Sequence, residues 1–321
     1  MKVSLSVLGQ EGEYKASLKE MGIELNAVSI PAIGNPTTPK GERFEAWAKK
    51  MSKNIEKMLE KGVQREDILI NAPINQIVEK NICDVAKLAS FVEKHQIAKI
   101  IMISGNANMG EALVSVERYV AMFRALTVHL QIKLYVGLYP SQKLGWCKEC
   151  FGINTLLEQH HFQKQKEKVL LLDELVDGYM TQIVLNGKSS AKWLNSISKF
   201  TTKPIFLGIS APTSKHLDLM HIRTQLFYIC KDKSFLEVEK LSELFKKVLL
   251  TPSKWFAILS SLNWGTVDMM WRFHLTRRYA LETIIDELKR DIDSKSELSI
   301  HFNSGGQSIE KSMPYVRQLA Y

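Results

Sequence analysis

The 321-residue sequence has few cysteines and no long apolar run. Its four cysteines, Cys83, Cys147, Cys150 and Cys230, are too few and too scattered for a disulfide framework in a chain of this size. No stretch approaches the roughly 18 uncharged apolar residues that a membrane-spanning helix requires, and residues 1–7 lack the pattern of a signal peptide. We therefore expect a cytoplasmic protein with no membrane segment and with free thiols.

One cysteine pair has a spacing that metal sites also use. Cys147 and Cys150 are separated by two residues and are followed by His160 and His161. Structural zinc sites usually space their histidines about three to five residues apart, whereas adjacent side chains point in different directions. The sequence therefore predicts no metal site here, and a zinc site or a redox-active dithiol are the alternatives.

The chain carries an excess of positive charge, with a formal net charge of +9 at pH 7. The lysines of residues 49–61 are interleaved with glutamates at helical spacing, as on an ordinary solvated helix face. No recognised nucleic-acid-binding module or basic helix stands out. We therefore predict no nucleic-acid partner, and a polyanionic small molecule is one reading of the charge.

Short apolar runs rich in β-branched residues recur along the chain, and helical patterns lie between them. The eight runs are residues 2–8, 24–30, 67–72, 99–104, 133–138, 179–185, 204–210 and 298–303. Strands that alternate with helices predict a parallel sheet, and eight such units are the number that closes a (β/α)8 barrel. The predicted fold is one α/β domain, a TIM barrel over residues 1–321.

The spacing of the runs is regular except between the seventh and the eighth. That interval contains Trp255, Trp264 and Trp271 and is long enough for about three helices. We interpret residues 214–296 as a helical insertion in the barrel. A doubly wound open sheet is the alternative, because the insertion breaks the regular alternation.

The segments that follow the predicted strands are rich in amides and hydroxyls and nearly free of carboxylates. In a (β/α)8 barrel these segments build the active site. Hydrolases and lyases on this scaffold generally need paired carboxylates, a histidine base or a metal, whereas amides orient a ligand through hydrogen bonds. The glycine-containing segment 103–110 is no Walker-type loop, because Glu111 and Ala112 occupy its Lys and Ser or Thr positions. The lining therefore suits a planar heterocycle with many donors and acceptors.

Three of these segments, in order, resemble the methylenetetrahydrofolate reductase family. "KLYVGLYP" (133–140) is similar to the family's fifth strand, "YMTQIVLN" (179–186) to its sixth with the Thr-Gln signature, and "KPIFLGISAP" (203–212) to its seventh. The segment "ELSIHFNSGGQS" (297–308) is most similar to the divergent, actinobacterial-type branch. The resemblance covers roughly residues 72–212 and implies a folate-binding barrel of one-carbon metabolism.

The resemblance assigns substrate contacts to residues at the strand ends. Gln182 matches the glutamine that hydrogen-bonds the pterin ring and then the nicotinamide, and Asn106 stands where classical members have an aspartate. Tyr139 matches a tyrosine that stacks on cofactor or substrate. Asn71 and Asn186 are further strand-end amides that we expect to contact the substrate.

The cofactor that the resemblance implies is NAD(P)H, with FAD as a second group in classical members. Tyr139, Ser104 and Gly105 match cofactor-binding positions. However, Ile74 replaces the classical flavin-contacting histidine, and Ser104 replaces an arginine. Direct hydride transfer from NAD(P)H, as in the divergent branch, would need no flavin.

The family's general acid has no counterpart at the matching position. That acid is a glutamate on the first strand, and Ser6 stands there in this sequence. A serine is a poor acid at neutral pH. Glu11, in the following segment, and His301, on the predicted eighth strand, are the candidates that could take its place.

The sequence thus predicts an oxidoreductase that resembles methylenetetrahydrofolate reductase and reduces a methylene-folate with a reduced nicotinamide. A folate-binding or methyl-transfer component on the same barrel is the alternative. The expected partner is a folate-type small molecule, and a homo-oligomeric state is left open.

Overall fold

The computed structural model describes residues 2–6, 24–30, 39, 41–78, 82–104, 116–140, 151–184, 187–210, 277–293 and 299–303. Within them the dominant feature is a parallel β-sheet with helices on its outer side. Residues 214–276 of the predicted insertion (214–296) lie outside the described residues, as do Cys147 and Cys150.

The sheet has eight strands in sequence order. They are β1 (Lys2–Ser6), β2 (Glu24–Ile30), β3 (Ile68–Pro73), β4 (Lys99–Ile103), β5 (Lys133–Leu138), β6 (Gly178–Ile183), β7 (Ile205–Ser210) and β8 (Ser299–Asn303). Each strand pairs in parallel with the next, and β8 also pairs with β1, which closes the sheet into a barrel. The α/β barrel class predicted from the sequence is confirmed, since an open doubly wound sheet would leave its first and last strands unpaired.

Seven α-helices lie among the described residues. They are α1 (Arg43–Glu60), α2 (Ile74–Ile77), α3 (Ile82–Lys94), α4 (Val116–Leu126), α5 (Phe151–Leu172), α6 (Gly187–Ile197) and α7 (Arg277–Asp291). Helix α7 lies inside the stretch predicted as an insertion, yet it packs on α6 and precedes β8. It therefore occupies the place of the ordinary barrel helix between β7 and β8.

The main hydrophobic core lies between the sheet and the helices. Alternate residues of each strand point outwards, for example Ile70 on β3 and Val136 on β5, and both are fully buried there. The helices contribute a buried stripe to the same core, as Trp47, Met51 and Ile55 do from α1. The indole Nε1 of Trp47 also donates a hydrogen bond of 3.2 Å to the backbone oxygen of Asn71, which fixes α1 to β3.

A second, smaller apolar cluster fills the inside of the barrel, and we call it the inner plug. Its members are Ala27, Leu69, Ile101, Tyr135, Met180 and Phe206, with Ile103 packed against them. The rings of Tyr135 and Phe206 meet edge to face, with their centroids 5.9 Å apart. The plug makes the lower interior a packed core rather than a channel.

Helices α6 and α7 pack so closely that one position requires glycine. A Cβ added to Gly187, the first residue of α6, would lie 2.5 Å from the carbonyl oxygen of Ile284 and 2.7 Å from the Cβ of Glu287 on α7. Neither a backbone oxygen nor a Cβ can move without moving the helix. This contact fixes α7, and with it the approach to β8, against the rest of the barrel.

No helix in the part of the chain that the structure describes is both long enough and apolar enough to cross a membrane.

Candidate functional site

The candidate site is the mouth of the barrel, which we define as the inward-facing positions above the inner plug at the carboxyl ends of the strands. In parallel α/β barrels this end carries the ligand site because the βα segments converge there. Counting by alternation from the plug residues, the mouth positions are Ser29 on β2, Asn71 on β3, Ile103 on β4, Gly137 on β5, Gln182 on β6, Gly208 on β7 and His301 on β8, with Tyr139 just beyond β5. Two of these positions are glycines, and the Ile103 side chain packs over one of them, since a Cβ added to Gly137 would lie 2.9 Å from the Cγ2 of Ile103.

Asn71 ties β3 to β2 at the mouth. Its side-chain Nδ2 donates to the backbone oxygen of Ile30 at 3.2 Å and lies 3.4 Å from the Oγ of Ser29. The amide nitrogen is thus committed to the neighbouring strand. Asn71 is half-buried, so its contribution to a ligand would come from the carboxamide oxygen rather than the nitrogen.

Tyr139 is held at the end of β5 through its backbone. Its N–H donates to the Oε1 of Gln165 on α5 over 3.1 Å, and Gln165 is itself buried. The Tyr139 side chain is half-buried. The side-chain oxygen of Gln165 thus satisfies the backbone N–H of Tyr139, which lies beyond the last residue of β5. The chain can turn away from the sheet there without leaving this N–H unpaired.

Lys168, one helical turn after Gln165, supports the same strand end. Its ammonium Nζ donates to the backbone oxygen of Gly137 over 3.0 Å, and the side chain is buried. Burial lowers the pKa of Lys168 to about 8, while the negative charge of Glu117 on α4 acts in the opposite direction. Gln165 and Lys168 together form what we call the β5 clamp.

The β5 clamp also shows how α5 lies relative to the mouth. Gln165 contacts residue 139 and Lys168 contacts residue 137, so α5 runs antiparallel to β5. The helix begins at Phe151, and at 1.5 Å per residue the part before Gln165 extends roughly 20 Å past this contact. The helix therefore rises above the mouth beside β5.

Gln182 lies on β6 next to the end of β5. Leu138 and Thr181 are Cα partners in the register of the two strands, so the residues that follow them, Tyr139 and Gln182, lie side by side. Thr181 is buried, and its Oγ1 accepts a hydrogen bond of 2.9 Å from the N–H of Gly208 on β7. This bond bridges the irregular register of β6 and β7 between Met180 and Ile183.

Ser104 follows the last residue of β4, and its backbone is hydrogen-bonded to the helix that follows β3. The Ser104 carbonyl oxygen accepts a hydrogen bond of 2.8 Å from the N–H of Asn75 in α2. Ile74, the residue before Asn75, is completely buried in the core between the sheet and the helices. Gly105 and Asn106, predicted to follow Ser104 in the site, lie outside the described residues, as does Asn186.

His301 faces the inside of the barrel on β8. Its neighbours Ile300 and Phe302 are buried in the outer core, so alternation directs the imidazole inwards. In the sheet register His301 lies between Ser4 of β1 and Gly208 of β7. Its Nδ1 is buried without a hydrogen-bond partner among the described residues, and burial lowers its pKa to about 4.

The position of the family's general acid lies within β1. Ser6 ends the strand and is the Cα partner of Asn303 on β8. Glu11, one candidate replacement, lies outside the described residues. His301, the other, is neutral at physiological pH because its pKa is so low, so it has no proton to give as an imidazolium.

The amino terminus of α6 begins near the mouth, where helix N-terminal amides often bind anions. Here the carboxylate of Glu287 on α7 takes that place, because its Oε2 accepts a hydrogen bond of 3.1 Å from the N–H of Lys188. A carboxylate at this end of a helix is favourable and would repel a second anion. A phosphate or carboxylate of a ligand is therefore not expected at this helix end.

Within the described ranges, no group of three or more His, Cys, Asp and Glu side chains is arranged to hold a metal ion.

Sequence reasoning missed the β5 clamp. Gln165 and Lys168 lie in a helix of residues 151–172, where polar and apolar residues are mixed without a clear apolar stripe. A buried lysine and glutamine look like solvated residues in a sequence, because only the tertiary contact distinguishes them. The one available signal was their spacing of three residues, which places both on one helix face.

The comparisons with known proteins give distant likenesses only. No protein-family model and no curated protein matches the sequence. A thermostable mutant of a xylanase from Cellvibrio japonicus has 9% identity and a TM-score of 0.43, with 99% of this chain and 89% of that chain covered.

Two further solved structures belong to the same group of likenesses. A 2-keto-3-deoxygluconate aldolase variant from Sulfolobus solfataricus has 9% identity and a TM-score of 0.34, with coverage of 99% and 94%. The tryptophan synthase complex from Pyrococcus furiosus has 12% identity and a TM-score of 0.35, with coverage of 78% and 97%. Likenesses this distant identify neither a family nor a function for this chain.

Proposed function

We propose that the protein is a methylenetetrahydrofolate reductase-like oxidoreductase that transfers hydride from NAD(P)H to a methylene-folate. The observation that carries the proposal is the adjacency of Tyr139 and Gln182 at the ends of β5 and β6. A tyrosine and a glutamine at neighbouring strand positions supply the residue types needed to stack on a flat heterocycle and to hydrogen-bond its edge. The resemblance noted in the sequence assigns these roles to the same two residues.

The character of the mouth supports an uncharged, planar ligand portion. The described inward positions supply an amide, a neutral imidazole and two glycines, and Glu287 occupies the nearby start of α6. A pterin is a planar ring with several donors and acceptors and no charge at neutral pH, so these groups match it better than they match a phosphate.

The balance of the reaction is simple. Methylenetetrahydrofolate, NAD(P)H and one proton give methyltetrahydrofolate and NAD(P)⁺: the proton opens the five-membered ring to an iminium, and the hydride then adds to the iminium carbon. The chain's own residues bind and orient the two partners in this scheme, since proximity and alignment supply a large part of the barrier reduction in hydride transfer.

The residues present do not fit a flavin. Ile74, where the classical histidine would contact FAD, is apolar and completely buried in the outer core, and the Ser104 carbonyl oxygen already accepts a bond from Asn75. We therefore propose direct hydride transfer without FAD. The absence of a flavin absorbance band from the purified protein, together with retained activity, is the expected result.

A second candidate is a folate-binding or methyl-transfer component without reductase activity. The observation that favours it is the lack of an acid among the described mouth residues, because Ser6 takes the family's acid position and His301 stays neutral. Such a protein would bind methyltetrahydrofolate but would not oxidise NAD(P)H.

Binding and turnover separate these proposals from each other. Gln182→Ala is expected to weaken folate binding by about 1 to 3 kcal/mol, because the substrate donors and acceptors would lose their partner. Gln163→Ala is the matched control, since Gln163 is exposed and bonds only to Glu167 at 3.0 Å. Isothermal titration of the two variants with methyltetrahydrofolate gives the comparison, and equal affinity in both would contradict the assigned register.

A further inference from the structure

His301 is placed to contact whatever enters the mouth. It faces inwards on β8, and its Cα partner on one side is Gly208, which has no side chain. On the other side its partner is Ser4, a small residue. Both partners of His301 in the sheet register are therefore small residues.

The imidazole is unusual in having no partner. Its Nδ1 is buried and makes no hydrogen bond to any described residue, whereas the residue as a whole is half-buried rather than buried. Buried polar groups almost always find a partner, so a ring nitrogen left without one inside a barrel is a place where a ligand or water completes the bonding.

The surroundings of the imidazole favour an uncharged partner. Burial is the only cause that lowers the pKa of His301 to about 4, so no nearby charge is needed to explain it. Strand β7 has no titratable residue, and β1 has only Lys2, two residues before Ser4. A carboxylate or phosphate bound here would favour the imidazolium, which this environment disfavours.

We propose that His301 is a ligand-binding residue of the mouth, whose neutral imidazole hydrogen-bonds an uncharged N–H, O–H or carbonyl group of a bound heterocycle. This inference rests on the proposed function for the identity of the ligand. It assigns the eighth strand to substrate recognition, together with Tyr139 on β5 and Gln182 on β6. His301 acts in binding and not as the proton donor of the reaction.

Binding of methyltetrahydrofolate to three variants tests the role. His301→Leu removes both ring nitrogens and is expected to weaken binding at least about tenfold. His301→Gln keeps a neutral donor and acceptor and is expected to restore most of the affinity. His129→Leu is the control, because His129 is exposed beside Glu93, and it should bind like the unaltered protein. Unchanged affinity in His301→Leu would overturn the inference.

A second measurement does not depend on folate. Diethyl pyrocarbonate carbethoxylates neutral imidazoles that it can reach, and peptide mass mapping locates the product. We expect His301 to be modified in the folded protein, more slowly than the exposed His129. If His129 is modified and His301 is not, the ring is closed off and the inference fails, even if folate binds.

The two measurements distinguish the failure of this inference from the failure of the proposed function. If the unaltered protein binds no methyltetrahydrofolate, the proposed function is wrong, and with it the folate as His301's ligand. Modification of His301 would still support an accessible ligand-contact group in the mouth. Protection of His301 by bound methyltetrahydrofolate would support both.

Discussion

The inner plug and the mouth of the barrel, one directly above the other, are built from opposite kinds of residue. The plug consists of large apolar side chains such as Phe206 and Met180, which are almost fully buried. The mouth has Gly208, two residues after Phe206, and the partnerless His301 beside it. The same strand therefore contributes a large buried side chain at one level and no side chain at the next.

This difference separates residues that stabilise the barrel from residues that are free to bind. In the plug, every described polar atom has a partner: the phenol of Tyr135, for example, donates to the Oδ1 of Asn26 at 3.3 Å. In the mouth, the amide nitrogen of Asn71 is committed to a neighbouring strand, whereas the Nδ1 of His301 has no partner among the described residues. Substitutions at the two levels should thus have different consequences.

The largest expected effect is in the plug. Phe206→Ala should lower the free energy of unfolding by about 3 to 5 kcal/mol, because it removes a buried aromatic ring that packs against Tyr135. Phe206→Leu, which keeps most of the apolar volume, should cost much less. Urea denaturation of both variants measures the difference, and a loss below about 1 kcal/mol for Phe206→Ala would show that the plug is not a packed core.

A smaller effect, in the mouth, depends on pH. The pKa of His301 is about 4 in the folded protein and about 6.5 when unfolded, so the unfolded state takes up a proton first as the pH falls. Stability attributable to this group is therefore present at pH 7 and is lost progressively below pH 6.5. Between pH 7 and pH 5 the loss should be about 2 kcal/mol.

His301→Gln is the variant that isolates this contribution. Its free energy of unfolding should fall less steeply between pH 7 and pH 5 than that of the unaltered protein, as measured by urea denaturation at each pH. Parallel curves for the two proteins would mean that His301 is hydrated and titrates normally, and the contrast between plug and mouth would lose its strongest element.

The contribution of the β5 clamp to the free energy of unfolding should change with pH at alkaline values. The pKa of Lys168 is about 8 in the folded protein and about 10.5 when unfolded, so protons are released first from the folded state as the pH rises. Stability should increase by about 1.5 kcal/mol between pH 8 and pH 9.5. Lys168→Met should abolish this increase, and a persistent increase in the variant would assign it to another group.

The smallest effect is expected at Asn71, whose amide nitrogen bonds to β2. Asn71→Ala should lower the free energy of unfolding by about 0.5 to 1.5 kcal/mol, the usual range for one hydrogen bond of a half-buried group. Thermal denaturation beside the surface variant Gln163→Ala checks this value. A loss as large as that of Phe206→Ala would place Asn71 with the plug rather than with the mouth.

Much of the barrel could be predicted from the sequence because strand periodicity is a local signal. Each observed strand begins and ends within two residues of its predicted bounds, with the largest differences at the ends of β1 and β6. Helical periodicity is a local signal of the same kind in α1 and α3. Their apolar residues recur at helical spacing, and α1 buries Trp47, Met51 and Ile55 on one face.

The mouth could be predicted only in part. The adjacency of Tyr139 and Gln182 could be predicted because it is a consequence of the order and register of β5 and β6. The partnerless state of His301 and the burial of Lys168 depend on contacts between segments far apart in the chain. No local pattern reports such contacts, since the same residues would look solvated in isolation.

The most direct test of the proposed function is NAD(P)H oxidation by the purified protein with and without methylenetetrahydrofolate. The account predicts oxidation that requires the folate, yields methyltetrahydrofolate, and is strongly reduced in Gln182→Ala but not in Gln163→Ala. Methyltetrahydrofolate binding without any folate-dependent oxidation would contradict the reductase proposal and favour the binding component. Absence of both binding and oxidation would contradict the assignment of this mouth to folate altogether.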